Sequence, residues 1–197
     1  MLEKLGSHRQ MPQLLAHFEE NQQFYLVQEY IEGKELSHEI TPGQQWREAE
    51  TIALLREILE VLVWVQKHNA IHRDLKPANI MRRQDGKIVL IDFGAVKEIG
   101  SQILNPQGQV PSTILIGTPG YMPTEQSHGR PSFCNDIYAV GMIAIQALTG
   151  LLLTNLGKDI NNEVVWRDRA PHVSDRLADI IDKMVRHHQG ERVVINM

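Results

Sequence analysis

Two carboxylates, a lysine and an amide fall within about twenty residues near the middle of this chain. The run is His72-Arg73-Asp74-Leu75-Lys76-Pro77-Ala78-Asn79, and Asp92 follows 13 positions after Asn79 in Ile91-Asp92-Phe93-Gly94. Asp74 can orient an attacking hydroxyl and accept its proton. Lys76, two positions on, can reach a phosphate in transfer. Asn79 and Asp92 offer the hard oxygen ligands that magnesium prefers to nitrogen or sulfur. Residue types and spacing together suit phosphoryl transfer, which asks a protein for positioning and charge more than for covalent chemistry.

Such a set works only if the chain folds back on itself. Ile80-Met81, the turn residues Gln84-Asp85-Gly86 and the run Lys87-Ile88-Val89-Leu90-Ile91 predict strand, tight turn, strand. That hairpin would return Asp92 beside Asn79, as shared metal ligation requires. A hairpin with incidental polar ends is the plain structural alternative, because His-Arg-Asp alone is common by chance. The full run, with Asp-Phe-Gly at its fixed distance, weighs against that alternative.

With these motifs the chain resembles the serine/threonine protein kinases, and in texture the bacterial, cyanobacterial-type ones. Later matches arrive in order. Gly117-Thr118-Pro119-Gly120-Tyr121-Met122-Pro123-Thr124-Glu125 resembles the close of the activation segment. Pro123-Thr124-Glu125 stands where the family usually has Ala-Pro-Glu, and it keeps the glutamate. Asp136 resembles the aspartate that ties down the catalytic loop, and Arg192 the late arginine that pairs with Glu125. Singly, Asp136 reads equally well as a helix cap and Arg192 as a solvated charge.

The resemblance implies an α+β, protein-kinase-like fold: a mostly helical large lobe with a remnant of the small lobe's antiparallel sheet. Residues 1–30 would be that remnant, 31–35 the hinge and 36–197 the large lobe, its last helix cut short. Leu14–Phe18, the turn Glu19–Asn21 and Phe24–Ile31 read as the remnant's hairpin. ATP would lie at the hinge, its adenine bonded near Glu29 and Ile31, with Gln28 guarding the pocket and Met81 as its floor. Met81 is equally at home as a core residue. Glu35 would touch the ribose or a basic substrate residue, or be a solvated helix-start charge. Mg2+ on Asn79 and Asp92 would bridge the phosphates, with Asp74 and Lys76 completing the catalytic set. Lys76-Pro77 and Gly117-Thr118 point to serine or threonine of a protein substrate as acceptor. Arg73 would grip a phosphorylated activation segment, for which Ser101, Ser112 and Thr113 are candidates.

The positioning elements are helical. Thr41-Pro42 reads as a helix start, and about Arg47–Lys67 as a core helix with its polar residues on one stripe. A second apolar helix covers about Asp136–Leu148 and stops at Gly150. A third starts at Ser174 and carries Leu177, Ile180, Ile181 and Met184. His187-His188 reads as a solvated helix end rather than a metal site, since helical neighbours diverge by about 100°.

Composition bounds the rest. A length of 197 residues allows one domain with a real core. A net charge of −4 and a pI near 6.1 show no footprint for nucleic acid or an anionic membrane. The single cysteine, Cys134, and the absence of a visible signal peptide fit a reducing, cytoplasmic setting. An anchor elsewhere in a longer parent stays open. The family's glycine-rich loop, strand lysine and helix glutamate are not seen, and Leu2-Glu3-Lys4-Leu5-Gly6 reads as the end of the glutamate's helix. The chain would then cover about two-thirds of the domain, bind ATP weakly and transfer phosphate poorly by itself. The alternative function is a catalytically impaired fragment or pseudokinase acting as a nucleotide-binding or interaction module. A small-molecule phosphotransferase of the aminoglycoside or choline type is disfavoured, since those lack an Asp-Phe-Gly followed by a Gly-Thr-Pro-Gly-Tyr platform.

Overall fold

The computed structural model describes residues 5–21, 23–93, 97–98 and 117–193. The candidate phosphosites Ser101, Ser112 and Thr113, and Gly94 of the second motif, lie outside the described residues. Of the helix end read at Leu2–Gly6, only Leu5 is described as helical, and it is buried in the core.

The predicted first hairpin forms. Strand β1 (Leu14–Glu20) pairs antiparallel with β2 (Gln23–Gln28). Glu20 faces Gln23, so the turn is tighter than the sequence suggested, and Asn21 takes a left-handed φ of 51°, a conformation asparagine tolerates. Phe18 and Tyr25 face each other with stacked rings 5.1 Å apart. The second strand stops at Gln28, which leaves Glu29–Ile31 outside the sheet as a connector to β3 (Gly33–Glu35).

Thr41-Pro42 does not start a helix. The Thr41 hydroxyl donates to the Gln44 side chain, and the chain turns and runs on to helix α1 (Glu48–Lys67). The reason lies across the fold: the Gly43 and Trp46 amides donate to the carbonyls of Gly150 and Ala147. Gly43 is left-handed at φ 87°, which a right-handed helix cannot include, and the Trp46 donor spent on another helix's exposed end is lost to a local one. Helix α1 begins instead at Arg47, whose amide and guanidinium both bond the Glu50 carboxylate. Leu54, Leu55, Ile58, Val61, Leu62 and Val65 on α1 are buried.

After α1 come the short β4 (Ala70–Ile71), then β5 (Ile80–Arg83) and β6 (Ile88–Leu90), joined through Gly86 at φ 83°. Strand β7 (Lys97–Glu98) pairs with β4, while β3, β5 and β6 form an antiparallel sheet in that order. Helix α2 (Thr124–Ser127) is one turn. Helix α3 (Phe133–Thr149) is buried on all sides from Asn135 to Thr149, as expected of a helix apolar all round. It ends at Gly150, left-handed at φ 63° and so suited to glycine. Strands β8 (Gly157–Lys158) and β9 (Val164–Val165) make a small hairpin before α4 (Asp175–Met184). Helix α4 starts where predicted, with the Ser174 hydroxyl accepting from the Leu177 amide. Leu177, Ala178, Ile181 and Met184 are buried, whereas Ile180, expected among them, is half exposed.

One hydrophobic cluster links α1, α3, α4 and the β5–β6 hairpin, and takes in Leu5, Met11, Phe93 and Trp166. Helices α3 and α4 meet closely at Gly141, where a Cβ would lie 2.5 Å from Val185. The His187-His188 pair follows α4 rather than ending it. Among the described residues no three His, Cys, Asp or Glu side chains gather at metal-binding spacing.

Candidate active site

The site is the loop between β4 and the β5–β6 hairpin, and its backbone is bent by design. Arg73 and Asp92 both adopt left-handed φ angles, 74° and 61°. Each costs about 1–3 kcal/mol and persists only where surroundings hold it. The holder at Arg73 is the start of α3. The Asp136 carboxylate accepts the His72 amide at 2.9 Å and the Arg73 amide at 3.0 Å. Burial pushes this carboxyl up from the ordinary carboxylate range, against the pull of His72, Arg73 and the two amides. Asp136 is therefore the loop's tether, not a helix cap. The His72 ring bonds the Ile91 carbonyl at 3.0 Å and packs on Phe93 at 4.6 Å. Both ends of the site are thus pinned to one imidazole.

Asp74 is the meeting point. Its Oδ1 accepts the Thr118 hydroxyl at 2.7 Å, and its Oδ2 accepts Lys76 Nζ at 2.9 Å and Asn79 Nδ2 at 3.2 Å. Lys76 Nζ also donates to Thr118 at 3.0 Å, and Asn79 Nδ2 to the Asp74 carbonyl at 2.8 Å. Because Nδ2 serves Asp74, the Asn79 oxygen is turned away from it. The hairpin does what the sequence asked: Ile80 faces Leu90, and the Ile91 amide donates to the Asn79 carbonyl at 2.9 Å. Asn79 and Asp92 are therefore brought to the same end of one hairpin. The Asp92 side chain is exposed and has no partner among the described residues. Two oxygen ligands with phosphates to complete the shell is an ordinary magnesium arrangement, so this donor set fits the ion.

The nucleotide-side expectations divide. The Glu29 amide is taken by the Gln13 carbonyl at 2.8 Å, which leaves its carbonyl oxygen for other use. Glu29 and Ile31 line a cleft of about 320 Å³ with Arg83–Asp85, a different set from Met81 and Glu35. Met81, half buried in β5, sits opposite Glu35 in β3. Glu35 precedes a helical turn at Leu36–His38 and accepts the Ser37 hydroxyl at 2.7 Å.

The platform is locked from behind. Arg192, almost fully buried, forks onto both oxygens of Glu125 and also donates to the carbonyls of Arg186 and His187. Tyr121 donates to Gln146, and burial pushes its phenol up to about 12. Two contributors escaped the sequence reading. The sequence marks Thr118 as part of the platform and as a sign of acceptor type, but does not show that its hydroxyl joins Asp74 to Lys76. Gln126, buried, donates to the Arg73 carbonyl at 2.6 Å. Nothing in the sequence marks Gln126, but the Ser132-x-x-Asn135 pattern beside it is a readable helix-start signal.

The chain matches the family described as "Protein kinase domain" over residues 1–197. It is 45% identical to serine/threonine-protein kinase C of Synechocystis sp. over 97% of its length. It is 44% identical to serine/threonine-protein kinase PknA of Nostoc sp. over 98%, and 41% identical to serine/threonine-protein kinase B of Synechocystis sp. over 94%. It spans 36%, 35% and 34% of those relatives' own lengths, about a third of each.

Proposed function

Because the chain belongs to the protein kinase family, we propose that it transfers the terminal phosphoryl group of ATP to serine or threonine hydroxyls of a protein substrate. The observation that carries this reading is the convergence of Lys76, Thr118 and Asn79 on the Asp74 carboxylate. Asp74 orients the acceptor hydroxyl and takes its proton. Lys76, held beside Asp74, balances charge on the group in transfer. Thr118 ties the platform to both, so a substrate that seats on the platform meets an aligned base.

Asn79 and Asp92 would hold Mg2+, which would supply charge to neutralise the phosphates. ATP lies against Glu29, Ile31, Glu35 and Met81, with residues 1–30 as the small-lobe portion, 31–35 as the hinge and 36–197 as the large lobe. Arg73, whose Nε is buried without a partner among the described residues, is the receptor for a phosphorylated activation segment. No described helix is long and apolar enough to cross a membrane. With a net charge of −4, the setting we propose is cytoplasmic, without a nucleic-acid partner.

The test is transfer of label from the terminal phosphate of ATP to a Ser/Thr protein substrate, for the protein and its Asp74→Asn variant. The variant should be slower by on the order of 10²–10⁴. Equal rates, or label on tyrosine alone, would contradict the proposal. Mg-dependent nucleotide binding with no transfer would return the chain to the interaction-module reading.

A further inference from the structure

We propose that Gln126 is a positioning residue for the catalytic loop, the last link of an amide relay whose polarity is fixed at both ends by backbone groups. The proposal rests on the kinase reading for its activity arm only. The relay begins at Ser132, the residue before α3. Its amide N–H, which can only donate, bonds Asn135 Oδ1 at 3.1 Å, and its hydroxyl bonds the same oxygen at 2.8 Å. This sets which way Asn135 faces, since its oxygen must point at Ser132. Asn135 Nδ2 is then left to donate to Gln126 Oε1, which it does at 3.0 Å. Gln126 in turn must present Nε2 to the other side, where the Arg73 carbonyl, which can only accept, lies at 2.6 Å. No side-chain flip is free along the line.

Asn135 is 1% and Gln126 6% exposed, so water cannot readily replace either link. The neighbourhood is shaped for the glutamine: Gly117, at φ 132°, is where a Cβ would come within 2.7 Å of Gln126 Nε2. The far end of the relay touches the surface, since the Ser132 hydroxyl accepts from Gln189 at 2.7 Å. The near end acts on the residue immediately before Asp74. Arg73 is left-handed, and its two peptide groups are held from one side by Asp136 and from the other by Gln126. Asp136 fixes the amide, Gln126 fixes the carbonyl, and together they set the plane that aims Asp74.

Three variants separate this role from simple packing. Gln126→Met keeps the volume and loses the two links to Asn135 and Arg73. Gln126→Glu keeps an acceptor for Asn135 but faces the Arg73 carbonyl with oxygen. Asn135→Asp keeps the Ser132 contacts yet turns Gln126 around without touching Arg73. The protein and the variants are compared by hydrogen exchange over residues 72–75 and by kcat and KM for ATP, each after a thermal melt. A buried acceptor left bare should cost about tenfold or more in local protection. We expect that acceleration in all three variants, with kcat reduced about tenfold or more and KM within about twofold. Wild-type exchange at 72–75 in Gln126→Glu and Asn135→Asp would overturn the proposal, as would kcat falling only in step with the folded fraction. If the protein itself transfers no phosphate, the kinase reading fails, and the exchange result still decides the relay.

Discussion

Asp136→Asn is the sharpest perturbation of the loop, because it changes one atom in a buried carboxylate. That carboxylate, 5% exposed, accepts two amides at 2.9 and 3.0 Å. Asparagine can satisfy one of them; its NH2 must then face the other N–H as donor against donor. Losing a hydrogen bond to a charged acceptor costs about 1.5–3 kcal/mol, and leaving a buried donor bare costs about 1–3 kcal/mol. Removing a charge that burial already disfavours gives part of this back. The net expectation is a loss of about 2–4 kcal/mol in urea unfolding. With the His72 and Arg73 amides no longer both held, Arg73 can relax from its left-handed conformation and carry Asp74 out of line. Phosphoryl transfer should then fall by on the order of 10²-fold, beyond any unfolded fraction, since small misplacements of a catalytic group have that effect. Stability within about 0.5 kcal/mol of the parent, together with an unchanged rate, would refute the tether.

Two further outcomes follow from the platform. Glu125→Ala strands an Arg192 side chain that is 1% exposed, although the Arg186 and His187 carbonyls still bond it. The loss should sit near about 3 kcal/mol, the low end for breaking a buried pair, and Glu125→Leu with Arg192→Leu should recover part of it; calorimetric melts check both. Tyr121 gives a pH signature. Its folded value, about 12, lies above the ordinary 10.0, so the fold favours the protonated phenol. The stability this contributes is complete below pH 10 and is lost as pH rises through about 12. The stability gap between the protein and Tyr121→Phe should therefore be flat below that window and shrink across it; a gap that widens there would be wrong.

The sequence was most legible where a short motif carried its own geometry. The β5–β6 hairpin, its turn at Gly86 and the return of Asp92 toward Asn79 follow from strand and turn chemistry, and the structure has them. The pairing of Arg192 with Glu125 and the tether from Asp136 were readable only in register with the other motifs, because an isolated Asp or Arg carries no partner's address. Thr41-Pro42 starts no helix for a physical reason: Gly43 turns left-handed, and the Trp46 amide that a local helix would have used caps α3 about a hundred positions away. Ile180 shares a period with the core residues of α4 but falls at the edge of its buried face. Thr118 and Gln126 were hidden because a hydroxyl or amide shows its role only when the fold chooses its partner.

Magnesium-dependent nucleotide binding, measured as a thermal shift on the protein and on Asp92→Ala, tests the central claim most directly. If Asn79 and Asp92 share one ion on the phosphates, ATP with magnesium should raise the melting temperature as RT ln(1 + [L]/Kd) requires. ATP without magnesium should raise it less, and Asp92→Ala should lose the difference. An equal, magnesium-independent shift in both proteins would contradict the account.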